Sequence, residues 1–235
     1  MLEDLKERVL QANLDLVKHG LVILTFGNVS GIDRAAGFVA IKPSGVSYEG
    51  LRAEDIVLVD LNGKSVEGRL RPSSDTPTHL VLYKAFPQIG GIAHAHSLAA
   101  TAFAQAGTEI PCLGTTHADH FNGAIPLTRL LEKNEVEEAY EENTGKIIRE
   151  RFDGRDPIET PAVLVAGHGP FTWGRTPAEA VTSAVILETV AAMAVETLRL
   201  APGAPELPAF IRRKHQERKH GPRAYYGQKK GDRNS

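Results

Sequence analysis

Cysteine is nearly missing from this chain: Cys112 stands alone among 235 residues. No disulfide can form within the chain, and a reducing cytoplasm is the expected compartment. An excess of either charge is missing too. Lysine and arginine number 27 against 29 aspartates and glutamates, a net charge of −2. That balance argues against bulk nucleic-acid binding, although residues 212–235 hold nine Lys/Arg against Glu217 and Asp232. Read by itself, that basic end is a solvated tail. No apolar run approaches the roughly 20 residues of a membrane span. The opening Met1-Leu2-Glu3-Asp4-Leu5-Lys6 carries acids where a secretory leader would be basic and then apolar. No internal repeat and no second core are evident. The expectation is one cytoplasmic domain bound neither to membrane nor to nucleic acid.

What is present suffices for a full core, with 42% of residues apolar. Residues 2–19 read as an amphipathic helix closed by Gly20. Residues 21–24 read as a buried strand running into Gly27-Asn28-Val29-Ser30-Gly31, too rich in turn formers to continue it. Further strands are expected at 38–41, 56–60 and 64–67, the last two a hairpin through Asn62-Gly63. Thr76 as N-cap with Pro77 at the first helical position opens a helix to Phe86. The strand carrying His94 and His96 follows, then a short helix over 97–105 and an irregular stretch over 108–130. Asn134, with Glu137 completing a capping box, opens a helix to Phe152. A strand over 163–166 breaks at Gly167-His168-Gly169-Pro170. Thr176-Pro177-Ala178-Glu179 opens a helix to Leu200, after which Pro202, Pro205 and Pro208 carry the chain away from the body. This order predicts a single-domain α/β/α sandwich with a central mixed, largely antiparallel sheet covered by helices on both faces.

Chemistry concentrates at His94-Ala95-His96. In a strand these side chains share a face, at a spacing one metal ion can bridge. Imidazole is the commonest protein ligand for zinc. His168 ends another apolar strand between two glycines, and three histidines with an open position are the catalytic pattern for zinc. Asp75, just before a helix, either joins them as a ligand, orients one, or merely caps its helix. The loops at Gly27-Asn28, at Lys42 with Ser44-Gly45, and at Ser73-Ser74 offer backbone N–H groups, hydroxyls and one cation. That set suits a phosphate. Proton-transfer candidates are Asp119, His117 and the tyrosines near the C-terminus.

Several runs together resemble the class II aldolase/epimerase superfamily: Lys42-Pro43-Ser44-Gly45, Pro72 to His79, His94-Ala95-His96, Gly114 to Asp119, and Gly167 to Phe171. The ending from Arg218 to Gln228 resembles its epimerase branch. The resemblance covers residues 1–228, with 201–228 as a tail; residues 229–235 extend past the family's usual end, are expected to be disordered and carry no assigned role. It implies a zinc enzyme, with Mn2+ or Co2+ as possible substitutes, interconverting L-ribulose 5-phosphate and D-xylulose 5-phosphate in arabinose breakdown. By the same resemblance His94, His96 and His168 are metal ligands with Asp75 on or near the metal. Gly27, Asn28, Lys42, Ser44, Gly45, Ser73, Ser74 and Thr115 hold the substrate. Asp119 and Tyr226 are the acid/base pair, which His215 and Arg218 assist, and Glu141 matches a further polar position. The implied assembly is a homotetramer whose tail delivers Tyr226 across a subunit interface.

That chemistry agrees with the residue types. C4 of the ketopentose is not acidic, so epimerisation calls for breaking and reforming the C3–C4 bond, with proton donors on both faces of the aldehyde fragment. Asp119 as general acid would need a raised pKa. A sugar-phosphate aldolase is the alternative, although such enzymes typically carry Glu where Asp75 stands. A scaffold resembling adducin's head would lack the histidines. His120 stands where the family commonly has a phenol.

Overall fold

The structure, a computed structural model, describes residues 2–220 and 224–225. Seven strands form one sheet in the order β4-β3-β2-β1-β5-β7-β6. They are β1 (Asn28–Asp33), β2 (Phe38–Ile41), β3 (Val57–Asp60), β4 (Ser65–Glu67), β5 (Gly91–His94), β6 (Ala162–Val165) and β7 (Gly169–Gly174). Every pairing of these strands is antiparallel. The parallel element of the expected mixed sheet reduces to one isolated bridge, Leu127 to Leu164.

Strand alternation sorts the core into two layers. Val39, Val57, Val59, Ile92, Val163, Val165, Phe171 and Trp173 face α2 (Thr76–Ala85) and α5 (Lys133–Arg151). Their neighbours Ala40, Leu58, Ala93, Ala162 and Leu164 face the other way. There they meet α1 (Glu3–Lys18), α3 (Leu98–Ala106) and α6 (Pro177–Leu200). Helices therefore cover both faces, as the sequence predicts. A glycine row crosses the sheet centre, Gly31 beside Gly91 beside Gly174. Side chains there would collide with the start of α6: a Cβ on Gly91 would stand 2.4 Å from Pro177 N, and one on Gly174 2.4 Å from Glu179 Cβ. The row lets that helix lie directly on the strands.

Residues 21–24 form no strand. The amides of Gly20 and Leu21 bond back to Val17 and Leu16, closing α1, and Ile23 and Leu24 are exposed. The strand falls instead on the stretch of turn formers from Asn28. Its buried Ser30 is satisfied from outside the sheet: Ser30 Oγ lies 2.7 Å from His79 Nδ1 and 2.8 Å from Tyr83 Oη. Buried Asn13 of α1 clasps both the N–H and the C=O of Val29. The break expected at Gly169-Pro170 is likewise the beginning of β7.

Helix α5 is capped by Glu132 with Glu135, not by Asn134 with Glu137, because Glu135 is also gripped by both terminal nitrogens of Arg129. Helix α6, contrary to the sequence expectation, is long and apolar enough by composition alone to cross a membrane. Here its buried residues from Ala180 to Ala194 cover the sheet. The proline segment also corrects expectation. Rather than leaving the body, it bonds to it (Leu207 N to Cys112 O, 2.8 Å) and starts α7 (Ala209–His220). That helix packs on the short α4 (Thr115–Ala118), with Gln216 Nε2 donating to Ala118 O at 2.7 Å.

Candidate active site

Antiparallel register brings the chemistry to one sheet end. Asn28 opens β1 opposite His94, the last residue of β5, which lies opposite Phe171 of β7. His94 stacks on the Phe171 ring with centroids 4.1 Å apart. Its Nδ1 lies 2.9 Å from Pro170 O; donating there fixes the tautomer and leaves Nε2 with a free lone pair. His96 sits two residues past the strand and His168 in the turn before β7, so ligand atoms of all three lie within 4.8 Å of one another. His94 Nε2 and His96 Nε2 are 3.2 Å apart. Two nitrogens each about 2.0–2.1 Å from one tetrahedral zinc would be separated by roughly 3.3 Å. Burial, then the neighbouring His94 and His96, push His168 down to about 4, and burial also lowers His96. Neutral rings with lone pairs are what a divalent cation requires, so the residues fit a metal.

Asp75 precedes α2 but makes no side-chain capping bond, which removes the capping alternative. Its Oδ2 accepts from Asn28 Nδ2 at 2.6 Å. Burial alone would raise its pKa, but His94, His79, the Asn28 bond and His168 outweigh this, leaving a carboxylate held below its usual range. It stands outside the tight histidine group. Asn28 Oδ1 is buried with no protein partner among the described residues. Such an acceptor is costly unless a ligand supplies a donor.

A cavity of about 350 Å3 joins these groups to Gly27, Lys42, Ser44, Gly45, Ser73, Ser74 and Glu141. Twelve of the expected site residues therefore line one space: these seven with Asn28, Asp75, His94, His96 and His168. Lys42 is buried, its Nζ donating to Val46 O at 2.7 Å and lying 4.6 Å from the centre of the Tyr48 ring. Burial pushes its pKa down to about 8. Thr25, Phe26, Pro43 and Tyr140 also line the cavity and are not among the sequence-derived candidates. Phe26 and Tyr140 lie in segments without a period or motif to mark them.

Asp119, His215 and Arg218 are elsewhere, and Thr115 is exposed; none of the four lines this cavity. Instead Asp119 accepts from Arg218 Nε (3.0 Å) and Nη2 (2.6 Å), and its Oδ1 lies 2.8 Å from His215 Nδ1. Burial would raise Asp119, but the Arg218 and His215 bonds and charges prevail and its pKa is lowered. The raised value expected of a general acid is therefore not found; Asp119 rests as a carboxylate, suited to accept a proton. His117 is no proton-transfer group: it is buried, with Nε2 2.8 Å from Gly123 O, and burial drops it to about 4. Tyr226 and residues 229–235 lie outside the described residues.

Residues 7–195 match the Class II Aldolase and Adducin N-terminal domain family, and the chain belongs to it. Within that class, the chain is 54% identical over 228 residues to two proteins called L-ribulose-5-phosphate 4-epimerase UlaF, from Salmonella paratyphi A (strain ATCC 9150 / SARB42) and Salmonella typhi. The match covers 97% of this chain and 100% of each relative. Among solved structures an L-fuculose 1-phosphate aldolase is similar at TM-score 0.77 and 26% identity, covering 92% of this chain and 95% of its own. The L-fuculose-1-phosphate aldolase of Thermus thermophilus gives 0.65 and 26%, covering 86% and 98%.

Proposed function

We propose that this protein is a metal-dependent L-ribulose-5-phosphate 4-epimerase. The observation that carries the reading is one cavity holding three converging histidines beside a lysine and serine loops, in a chain 54% identical along its length to proteins of that name. His94, His96 and His168 would hold the metal, zinc by the character of the donor set, with Asp75 beside it. When bound, it supplies a Lewis acid to the carbonyl end of the sugar.

The protein's own residues do the rest. Lys42, Ser44, Gly45, Ser73 and Ser74 hold the phosphate, and Asn28 Oδ1 accepts from a sugar hydroxyl. The Asp119 carboxylate takes the C4 hydroxyl proton as the C3–C4 bond breaks, leaving glycolaldehyde phosphate and a three-carbon enediolate. The aldehyde turns about its anchored phosphate, the bond reforms on the other face, and the Tyr226 phenol returns a proton to the C4 oxygen. The reverse direction exchanges the two roles.

Because Asp119 and its partners stand outside the cavity, a second copy of the chain would bring them to it, in a homotetramer. Ile23, Leu24 and Leu98, 67%, 78% and 84% exposed, supply apolar surface within two residues of the cavity residues Thr25 and His96. Asp119→Asn and His94→Asn proteins, each inactive, should regain part of the activity when refolded together. Failure to complement would place the whole site in one chain. The reaction itself is tested with L-ribulose 5-phosphate, following D-xylulose 5-phosphate with and without chelator. Unchanged turnover after complete metal removal would refute the reading, and free dihydroxyacetone as main product would favour an aldolase.

A further inference from the structure

Helix α5 is interrupted once. Ala139 has φ −162° and ψ 73°, outside the helical region, between two helical halves. An interrupted helix leaves carbonyls without their amide donors. Three side chains bond to carbonyls on either side of this break. Asn143 Nδ2 donates to Glu135 O at 2.8 Å, and Thr144 Oγ1 to Tyr140 O at 2.8 Å. From α2, Thr78 Oγ1 donates to Glu141 O at 2.5 Å. Partners drawn from two helices show that the interruption belongs to the fold rather than to a frayed segment.

Tyr140 follows the break directly and lines the cavity with Asp75 and the three histidines. Its Oη lies 3.4 Å from His168 Nδ1, the rings 6.2 Å apart and inclined at 37°. If His168 offers Nε2 to a cation, its Nδ1 carries the hydrogen and the phenol oxygen is the acceptor. The phenol's own hydrogen is then free to point into the cavity. The phosphate-suited groups Lys42, Ser44 and Ser73 sit on the loops after β2 and before α2, whereas Tyr140 stands against the histidines. It therefore faces the sugar end remote from the phosphate.

We propose that Tyr140 contacts the substrate, donating a hydrogen bond to the C1 hydroxyl of the pentulose phosphate. This assignment rests on the epimerase reading. A phenol at that end would distinguish a ketose with a free hydroxymethyl terminus from one lacking it, because the loss of the hydrogen bond costs binding.

The test pairs two proteins with two substrates: the parent enzyme and Tyr140→Phe, each with L-ribulose 5-phosphate and its 1-deoxy analogue. With the natural substrate the variant should lose about 10- to 100-fold in kcat/KM. With the 1-deoxy analogue, parent and variant should agree within about twofold, the signature of a shared contact in a double-mutant cycle. Bound metal per subunit should be equal in both proteins. Equal losses on both substrates, or a lowered metal content in Tyr140→Phe, would show that the phenol acts through His168 and would overturn the assignment. An active parent enzyme indifferent to Tyr140→Phe overturns this assignment alone. A parent that turns over neither substrate removes the epimerase reading with it.

Discussion

Gly27 couples the loop before β1 to the end of the strand that carries His94, and replacing it should damage both. Its φ is +91°, and a Cβ built there would stand 2.8 Å from the carbonyl oxygen of His94 and 2.8 Å from Val22 Cγ1. Val22 is half-buried and can turn aside. The His94 carbonyl belongs to the backbone at the end of β5, and ordinary contact begins at 3.4 Å. Relief therefore demands a movement of about 0.6 Å (3.4 less 2.8) in the residue whose ring is stacked on Phe171 and bonded to Pro170. The positive φ costs a residue with a Cβ about 1–2 kcal/mol, and overpacking about 1–3 kcal/mol. Gly27→Ala should thus lose roughly 2–5 kcal/mol, lowering Tm by roughly 4–20 °C for a chain of this size. The apo protein should show this loss in a thermal melt, and metal titration should show weaker binding. A melt within about 2 °C of the parent, with undiminished metal affinity, would refute the reasoning. So would full recovery in the Gly27→Ala/Val22→Ala double variant, which relieves only the yielding contact.

Two further outcomes follow from charge. Lys42, pushed down to about 8 by burial, is an ammonium below that pH and a neutral amine above it. The attraction for phosphate proposed for it is therefore lost as pH rises, and KM should climb towards tenfold per pH unit above about 8; the same climb in Lys42→Gln would exclude Lys42 as its source. Asp119 is held below the usual carboxylate range by Arg218 and His215 against the opposing effect of burial. In the proposed mechanism the deprotonated carboxylate is the base, so Arg218→Gln should raise its pKa and move the acid limb of kcat/KM upward by about 1–3 pH units; a lower rate with an unmoved limb would show that Arg218 does not set this carboxylate's charge.

Elements whose order comes from their own residues are legible in the sequence. Period-three and period-four leucines mark α1, Thr176-Pro177 marks the start of α6, and β-branched runs mark β2 and β6. Each carries its signal within a dozen residues. The failures share a cause. Asn28-Val29-Ser30-Gly31 reads as a turn because its strand conformation is supported from elsewhere, by Asn13, His79 and Tyr83 for the polar groups and by Pro177 for the missing Cβ at Gly31. The prolines of 202–208 read as a departure because nothing local says that Leu207 will bond to Cys112. Long-range partners override local preference in both places.

The site divides along the same line. Three histidines ending two strands can be paired on paper, since a strand's end fixes where its last side chain lies. Tyr140 cannot be found this way: its place depends on an interruption of α5 that Thr78, sixty-three residues from Glu141, helps to hold. The separation of Asp119 from the histidines is equally invisible, because sequence gives residue types and not their distances. That separation constrains the mechanism more than any single residue does. A chain with the histidine cavity at one place and a carboxylate fixed by His215 and Arg218 at another holds, under the proposed mechanism, two half-sites. The proposed reaction requires both at one sugar, so assembly of chains would be a condition of catalysis and not only of stability. Dilution should then lower specific activity as the assembly dissociates, while metal bound per chain stays constant, because His94, His96 and His168 all come from one chain.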